Sequence, residues 1–269
     1  MSSILQWCGR FGNNIQQISN AIFYCQENKL NFSSPDNELI KPFNITFNTT
    51  NNYCYSGLYF FHVPSITGQG GPHFICDLEK IRKERRKICR NYIYSNLKVN
   101  FNNINKLDND TVVLHIRSGD IFSRENYYCP VVSRYIQNPL KYYLDIIKDY
   151  TKVILLTEDY INPVVKELSK IDKVEVKICS VLETIEIILS TRNLVTSGIS
   201  SFPIACALLS DNIENLYCSN IKLDEIINYK EVVDSNINIH ITDIDMSKYI
   251  NYNEWLNIDL QRKKMIEYE

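Results

Sequence analysis

From Thr111 onward the chain alternates short β-branched apolar runs with longer stretches of helical period, and few folds accept that pattern. The strand-like runs are Val112 to Ile116, Val153 to Leu156, Val174 to Ile178, Leu194 to Ser197 and Ile213 to Tyr217. Helical stretches fall between them at Pro139 to Tyr150, Asn162 to Ile171, Val181 to Thr191 and Phe202 to Ser210. Apolar runs without polar alternation are buried on both faces, which requires helices above and below a parallel sheet. The pattern therefore predicts an α/β, doubly wound architecture. Such sheets take ligands outside the carboxyl ends of their strands. At the end of the first run stand His115, Arg117, Gly119 and Asp120. An arginine there suits a phosphate or diphosphate, because its planar fork gives two parallel charge-assisted hydrogen bonds. The competing reading is that His115 and Arg117 only tie down a loop.

The first hundred residues are less regular. Ile4 to Trp7 reads as a strand, Gly9 to Asn14 as a tight turn, and Ile15 to Gln26 as a helix with Ile15, Ile18, Ala21, Ile22 and Cys25 on one face. A strand, glycine turn and helix aims backbone N–H groups and a positive helix end at one edge of a cleft. Asn13 could equally serve as an ordinary helix cap. Glu27 to about Gly71 is rich in Asn, Ser, Thr, Pro and aromatics, and reads as short strands and long loops, with Tyr59 to Val63 and Thr67 to Pro72 as examples. Asp77 to Leu97 reads as a long helix. Its basic run, Lys80 to Arg90, is either a solvated face or a surface that attracts anions. The polar stretch Phe101 to Asp110 is the best linker. It divides the chain into domains 1–107 and 108–269. The tail from Asp245 reads as helical and is expected to cross back over the first domain.

Net charge is -2 and the isoelectric point is near 6.1, so electrostatics give no case for a nucleic-acid partner. No apolar stretch is long enough to span a bilayer, and Met1-Ser2-Ser3 leads straight into the first strand without a signal-like segment. The nine cysteines are odd in number and lack CxxC spacing, which fits reduced thiols used as small apolar residues. A cytoplasmic protein is expected on these grounds, so the sequons at Asn31, Asn44, Asn48 and Asn109 carry no meaning. Two Asp-Xaa-Asp triplets, at Asp108–Asp110 and Asp243–Asp245, fall in the linker and near the tail. Neither place suits a metal holder, and no metal is expected.

Three segments carry a resemblance, in chain order: Cys8 to Gln17 with Gly9-Arg10-Phe11-Gly12-Asn13, then His115 to Asp120, then Ser190 to Phe202. Together they resemble the signature segments of the fucosyltransferase superfamily, which includes the α1,2-, α1,6- and protein O-fucosyltransferases. The resemblance covers most of the chain up to about residue 210. It implies a GT-B-like fold, with two Rossmann-like domains facing a cleft and the N-terminal one smaller and irregular. The activity implied is an inverting, metal-independent transfer of fucose from GDP-fucose to a glycan hydroxyl. The partners are then a nucleotide-sugar donor and a glycan acceptor, with no further cofactor.

The resemblance also implies roles for residues. Arg117 would bind the diphosphate and stabilise the leaving group. His115 would contact the nucleotide or hold the loop, and Asp120 would orient Arg117 or the loop backbone. Many relatives carry a second arginine where this chain has Ser118. Gly12 and Asn13 match the turn placed near the donor sugar and acceptor. Ser200 and Ser201 match the segment that binds the diphosphate at a helix start, although relatives often continue with tryptophans where this chain has Pro203-Ile204-Ala205. Glu186 lies near an acidic position that relatives use toward the nucleotide, or is a plain solvated glutamate. Glu125, ten residues beyond His115, has the spacing of the glutamate used as base by α1,6-fucosyltransferases. Glu158 and Asp159 stand where α1,2-fucosyltransferases carry a Ser-Asp-Asp segment, and either hold the guanine or ribose or form a simple turn. Phosphate-binding motifs recognise a diphosphate rather than a sugar. Another GDP- or UDP-sugar therefore remains open, as does a non-catalytic glycan-binding module that retains the cleft.

Overall fold

A glycine in the left-handed region stands just ahead of the first helix. Gly9 has φ +67, and the helix begins two residues later. The computed structural model describes residues 2–4, 7, 9–47, 78–122, 135–198, 200–221, 227–233, 235–250 and 255–269. Strand β1 (Ser2–Ser3) is followed by helix α1 (Phe11–Glu27) and strands β2 (Phe32–Ser34) and β3 (Phe43–Ile45). β2 pairs parallel with β1 and antiparallel with β3. Both boundaries differ from expectation. The strand includes Ser2–Ser3, ahead of the expected start, and the buried Ile4 extends the pairing by donating its N–H to the Ser33 carbonyl at 3.0 Å. Residues 5 and 6 of the expected strand lie outside the described residues. The helix starts at Phe11 with Arg10 in the cap position, so Gly12 and Asn13 belong to its first turn. Gly9 supplies the left-handed residue ahead of the helix, and Phe11 buries its ring in the first turn.

Helix α2 (Leu78–Ile88) runs on through a π turn at Cys89–Ile93 and a 3-10 turn at Tyr94–Asn96, giving the long helical stretch anticipated from the sequence. Its basic run is not simply a solvated face. Arg85 is 1% exposed; its Nε donates to Glu231 at 2.8 Å and its Nη1 to Ser19 Oγ at 2.6 Å and Asn20 Oδ1 at 2.9 Å. Arg82 donates to the other oxygen of Glu231. Arg86 donates to the carbonyls of Ala207 (2.7 Å) and Ser210 (2.9 Å), and Arg90 to that of Leu209. Lys80, Lys83 and Lys87 keep the exposed side. The arginines turn inward because two later segments pack with α2. The first compact unit comprises Met1–Asn100, Ile204–Ser210 and Asp224–Ser235, and the second Phe101–Pro203, Asp211–Leu223 and Asn236–Glu269.

The second unit holds the expected alternation: β4 (Thr111–His115), α3 (Leu140–Ile147), β5 (Lys152–Leu156), α4 (Pro163–Leu168), β6 (Val174–Lys177), α5 (Val181–Ser190) and β7 (Asn193–Val195). Then follow α6 (Ser201–Leu209), whose residues from Ile204 group with the first unit, β8 (Asn215–Ser219), β9 (Asn238–Thr242), α7 (Met246–Tyr249) and α8 (Asp259–Glu267). All neighbouring strands are parallel, in the order β6-β5-β4-β7-β8-β9. This is a Rossmann-like α/β sheet. Helix starts follow local chemistry. Asn162 caps α4 with Pro163 at the first helical position, and Ser180 forms a capping box with Glu183 on α5.

One face of the sheet presents Val112, Leu114, Ile116, Val153, Leu155 and Val195 to a core shared with α3, α4 and α8. The intervening Val113, Ile154 and Leu194 are also buried, as a sheet covered on both faces requires. Strand β9 is unanticipated: it is a mostly exposed edge strand with polar neighbours, so it lacks the continuous apolar run of the others. The tail also departs from expectation, since α8 packs on α3 and α4 of its own unit. Trp255 fixes it by donating Nε1 to the Ile121 carbonyl at 3.0 Å, and Arg262 by donating to that of Phe122 at 3.2 Å. Among the described residues, no helix is long and apolar enough to cross a membrane.

Candidate functional site at the sheet switch point

The strand order reverses at β4. The chain moves outward from β4 to β5 and β6, then returns past β4 to continue through β7, β8 and β9. Connections leaving β4 and β7 therefore diverge, and the carboxyl ends of such a strand pair are where doubly wound sheets take their ligands. Ile116 to Asp120 follow β4, and Thr196 to Ser201 follow β7. Two separated sequence motifs thus meet at one place within the second unit.

The meeting is direct. The imidazole of His115 stacks on the ring of Phe202, with centroids 5.0 Å apart and planes 13° from parallel. Burial, and then the charge of Arg117, push its pKa down to about 4, so the ring is neutral near pH 7. His115 Nδ1 is buried without a hydrogen-bond partner among the described residues. The backbone N–H of Phe202 donates to Ser200 Oγ at 3.4 Å. Ser200 therefore caps α6, and Ser201 is its first residue. First-turn N–H groups and the positive helix end suit an anion.

Arg117 comes two residues after His115, on the loop that leaves β4. Its guanidinium sits over the Tyr135 ring at 4.7 Å, and its Nη2 is 3.3 Å from each oxygen of Asp120. Its Nε is buried and donates to nothing among the described residues. A buried unmade donor costs about 1–3 kcal/mol, so this nitrogen marks a place for an acceptor. Gly119 has φ +58, and a Cβ on it would come within 2.6 Å of Glu158 Oε2. The Glu158 carboxylate, beyond β5, thus lies against the β4 loop. Asp159 accepts from Ser118 Oγ, and from the Ile161 N–H at 2.8 Å. Ser118 is fully buried, so the position that holds a second arginine in the resembled family is a packed hydroxyl here.

A third wall was not legible beforehand. Asn138 donates to the Thr196 carbonyl at 3.1 Å and accepts from Ser219 Oγ at 2.7 Å. Tyr135, Gln137 and Asn138 thus border the carboxyl ends of β4, β7 and β8, and Tyr249 donates to the Gln137 carbonyl at 2.7 Å. Ser197 Oγ and Gln137 Oε1 are buried without partners among the described residues. The only sequence signal for this wall was the Asn-Pro step before α3.

The remaining candidates are placed elsewhere. Glu186 sits within α5 and accepts from Asn103 Nδ2 at 3.0 Å, which ties it to the segment leading into β4. Gly12 and Asn13 stand on α1 in the first unit, where the Asn13 amide lies over Gly9. Glu125 lies outside the described residues. Of the Asp-Xaa-Asp carboxylates, Asp110 accepts from Thr151 Oγ1 at the amino-terminal edge of the sheet, Asp243 accepts from Asn220, and Asp245 caps α7. Among the described residues, no three His, Cys, Asp or Glu side chains group so as to hold a metal ion. Comparison with family models, with curated proteins and with solved structures finds no match to this chain.

Proposed function

We propose that the switch-point crevice binds a nucleotide sugar and that the protein is a glycosyltransferase, transferring fucose from GDP-fucose to a glycan hydroxyl. The observation that carries the reading is the buried Nε of Arg117, without a partner among the described residues, on the loop that leaves β4 at the switch point, where doubly wound sheets take phosphates. The choice of fucose and guanine rests on the resemblance of the three sequence segments.

In this reading the acceptor oxygen attacks the anomeric carbon as the bond to the β-phosphate oxygen breaks, which inverts the centre in one step. Arg117 takes up the charge that develops on the departing diphosphate, so no metal is required for that purpose. Ser200, Ser201 and the first N–H groups of α6 hold the second phosphate, and Asp120 keeps the guanidinium directed. Neutral His115 presents an imidazole nitrogen to the nucleotide without repelling Arg117. A carboxylate takes the acceptor proton, and Glu125 is assigned that role by its spacing from His115. Gly12 and Asn13 serve the sugar and acceptor in a GT-B arrangement of two Rossmann-like domains, in the cytoplasm.

Calorimetry with GDP, UDP and GDP-fucose tests the site, and donor turnover with and without EDTA tests the chemistry. GDP binding that is weakened at least tenfold, though still measurable, in Arg117→Ala supports the reading, whereas unchanged binding removes it. Binding of UDP without GDP transfers the assignment to a UDP-sugar. Turnover abolished by the chelator rules out the metal-free route, and glycan binding without donor turnover identifies a binding module.

A further inference from the structure

The Arg117 guanidinium lies over the Tyr135 ring and pairs with Asp120, an ion pair three residues along whose carboxylate side chain is 51% exposed. Such a pair contributes at most about 1 kcal/mol and does not fix a long side chain. Beneath it the backbone is held far more firmly. Asn162 and Ser118 are 1% and 0% exposed. Asn162 Nδ2 donates to the Arg117 carbonyl at 2.9 Å, and the Asn162 N–H donates to Ser118 Oγ at 3.1 Å. Ser118 Oγ donates in turn to Asp159, which also accepts from the Ile161 N–H at 2.8 Å.

Asn162 also caps α4, accepting from the Val164 N–H at 2.9 Å. For that purpose alone Ser, Thr or Asp would serve, since a cap needs only an oxygen. Asparagine adds an amide donor on the same short side chain, and here that donor goes to Arg117. One buried residue therefore couples the start of α4 to the peptide that aims the guanidinium.

We infer that Asn162 and Ser118 are positioning residues of the anion site, fixing the Arg117 peptide so that its guanidinium meets a diphosphate already oriented. This rests on the reading of Arg117 as the diphosphate ligand. It also accounts for Ser118: the knot needs a small buried hydroxyl, and an arginine at that position would abolish it.

The test is GDP affinity by calorimetry on the full chain, with thermal melting of the same samples. Asn162→Thr keeps an uncharged cap for Val164 but cannot reach the Arg117 carbonyl. Loss of about tenfold in GDP affinity is expected, the effect of one hydrogen bond, with a melting temperature lowered by a few degrees but folding still cooperative. In an Arg117→Ala background the same substitution should have no further effect, because the two act as a unit. GDP affinity equal to that of the parent overturns the inference, as does the same fractional loss with and without Arg117. Should Asn162→Thr fail to fold, Ser118→Ala and Ser118→Thr take its place. Weakening by alanine with recovery by threonine supports the inference, and equal affinities overturn it. If Arg117→Ala itself leaves GDP binding intact, the site reading fails first, and that outcome is distinct from the others.

Discussion

His115, the last residue of β4, lies flat against Phe202 at the start of α6, with ring planes 13° from parallel. The stack joins the two motifs across the switch point and shields one face of the imidazole. Its folded pKa is about 4, below the ordinary value of 6.5, so the unfolded chain binds the proton more readily between those values. Stability should be fully present above pH 6.5 and fall as pH drops toward 4. At about 1.4 kcal/mol per pKa unit, the loss is bounded at about 3 kcal/mol. Urea denaturation at pH 7.5 and pH 5 measures it. His115→Gln should flatten the pH dependence, and an unchanged slope would show that the imidazole is not the source.

A second test concerns the buried ion pair of the first unit. Arg85 and Glu231 are both buried, and Arg85 is further held by Ser19 and Asn20. Removing one partner leaves a charge inside without its counterpart, which typically costs about 3–5 kcal/mol. Glu231→Ala should therefore shift the urea midpoint strongly. Replacing both, as Arg85→Met with Glu231→Leu, should recover much of the loss, because the apolar pair leaves no charge buried. A double variant as unstable as the single one would refute that account.

The basic run of α2 separates into two classes. Arg86 donates to the carbonyls of Ala207 and Ser210, and Arg90 to that of Leu209, all at the carboxyl end of α6 where carbonyls lack helical partners. Hydrogen bonds from charged donors contribute about 1.5–3 kcal/mol, so Arg86→Ala should destabilise by about 2 kcal/mol. Lys83 and Lys87 are exposed, and their alanine variants should stay within about 0.5 kcal/mol. Equal effects from arginines and lysines would restore the picture of a uniformly solvated face.

That contrast shows what sequence periodicity reaches. It identified α2 and the parallel strands because their apolar spacing is a property of the segment itself. It could not separate Arg86 from Lys83, since the difference lies in carbonyls some 120 residues away in the chain. The same holds at the site. His115, Arg117 and Ser200 were legible because strand ends and helix starts have local signatures. Asn138 and Asn162 were not, for they act through hydrogen bonds to distant backbone. β9 escaped because an exposed edge strand has no buried run to announce it.

The two glycines of the crevice should respond differently to alanine, although both have positive φ, at +58 for Gly119 and +86 for Gly198. The left-handed region costs a residue with a Cβ about 1–2 kcal/mol at either position. Their neighbours differ. A Cβ on Gly119 meets Glu158 Oε2 at 2.6 Å, the far end of a flexible and exposed side chain that can swing aside. A Cβ on Gly198 meets Asn138 Oδ1 at 3.0 Å, and that amide is fixed by Thr196 and Ser219. Gly119→Ala should therefore cost the backbone term and the small shift of the Glu158 side chain, about 1–2 kcal/mol. Gly198→Ala should cost more, about 2–3 kcal/mol, because Asn138 cannot move without breaking a hydrogen bond. Urea midpoints of the two variants give the order directly, and Asn138→Ala in the Gly198→Ala background should relieve part of the larger loss. If Gly119→Ala proved the more damaging, Asn138 would not be the rigid wall of the crevice.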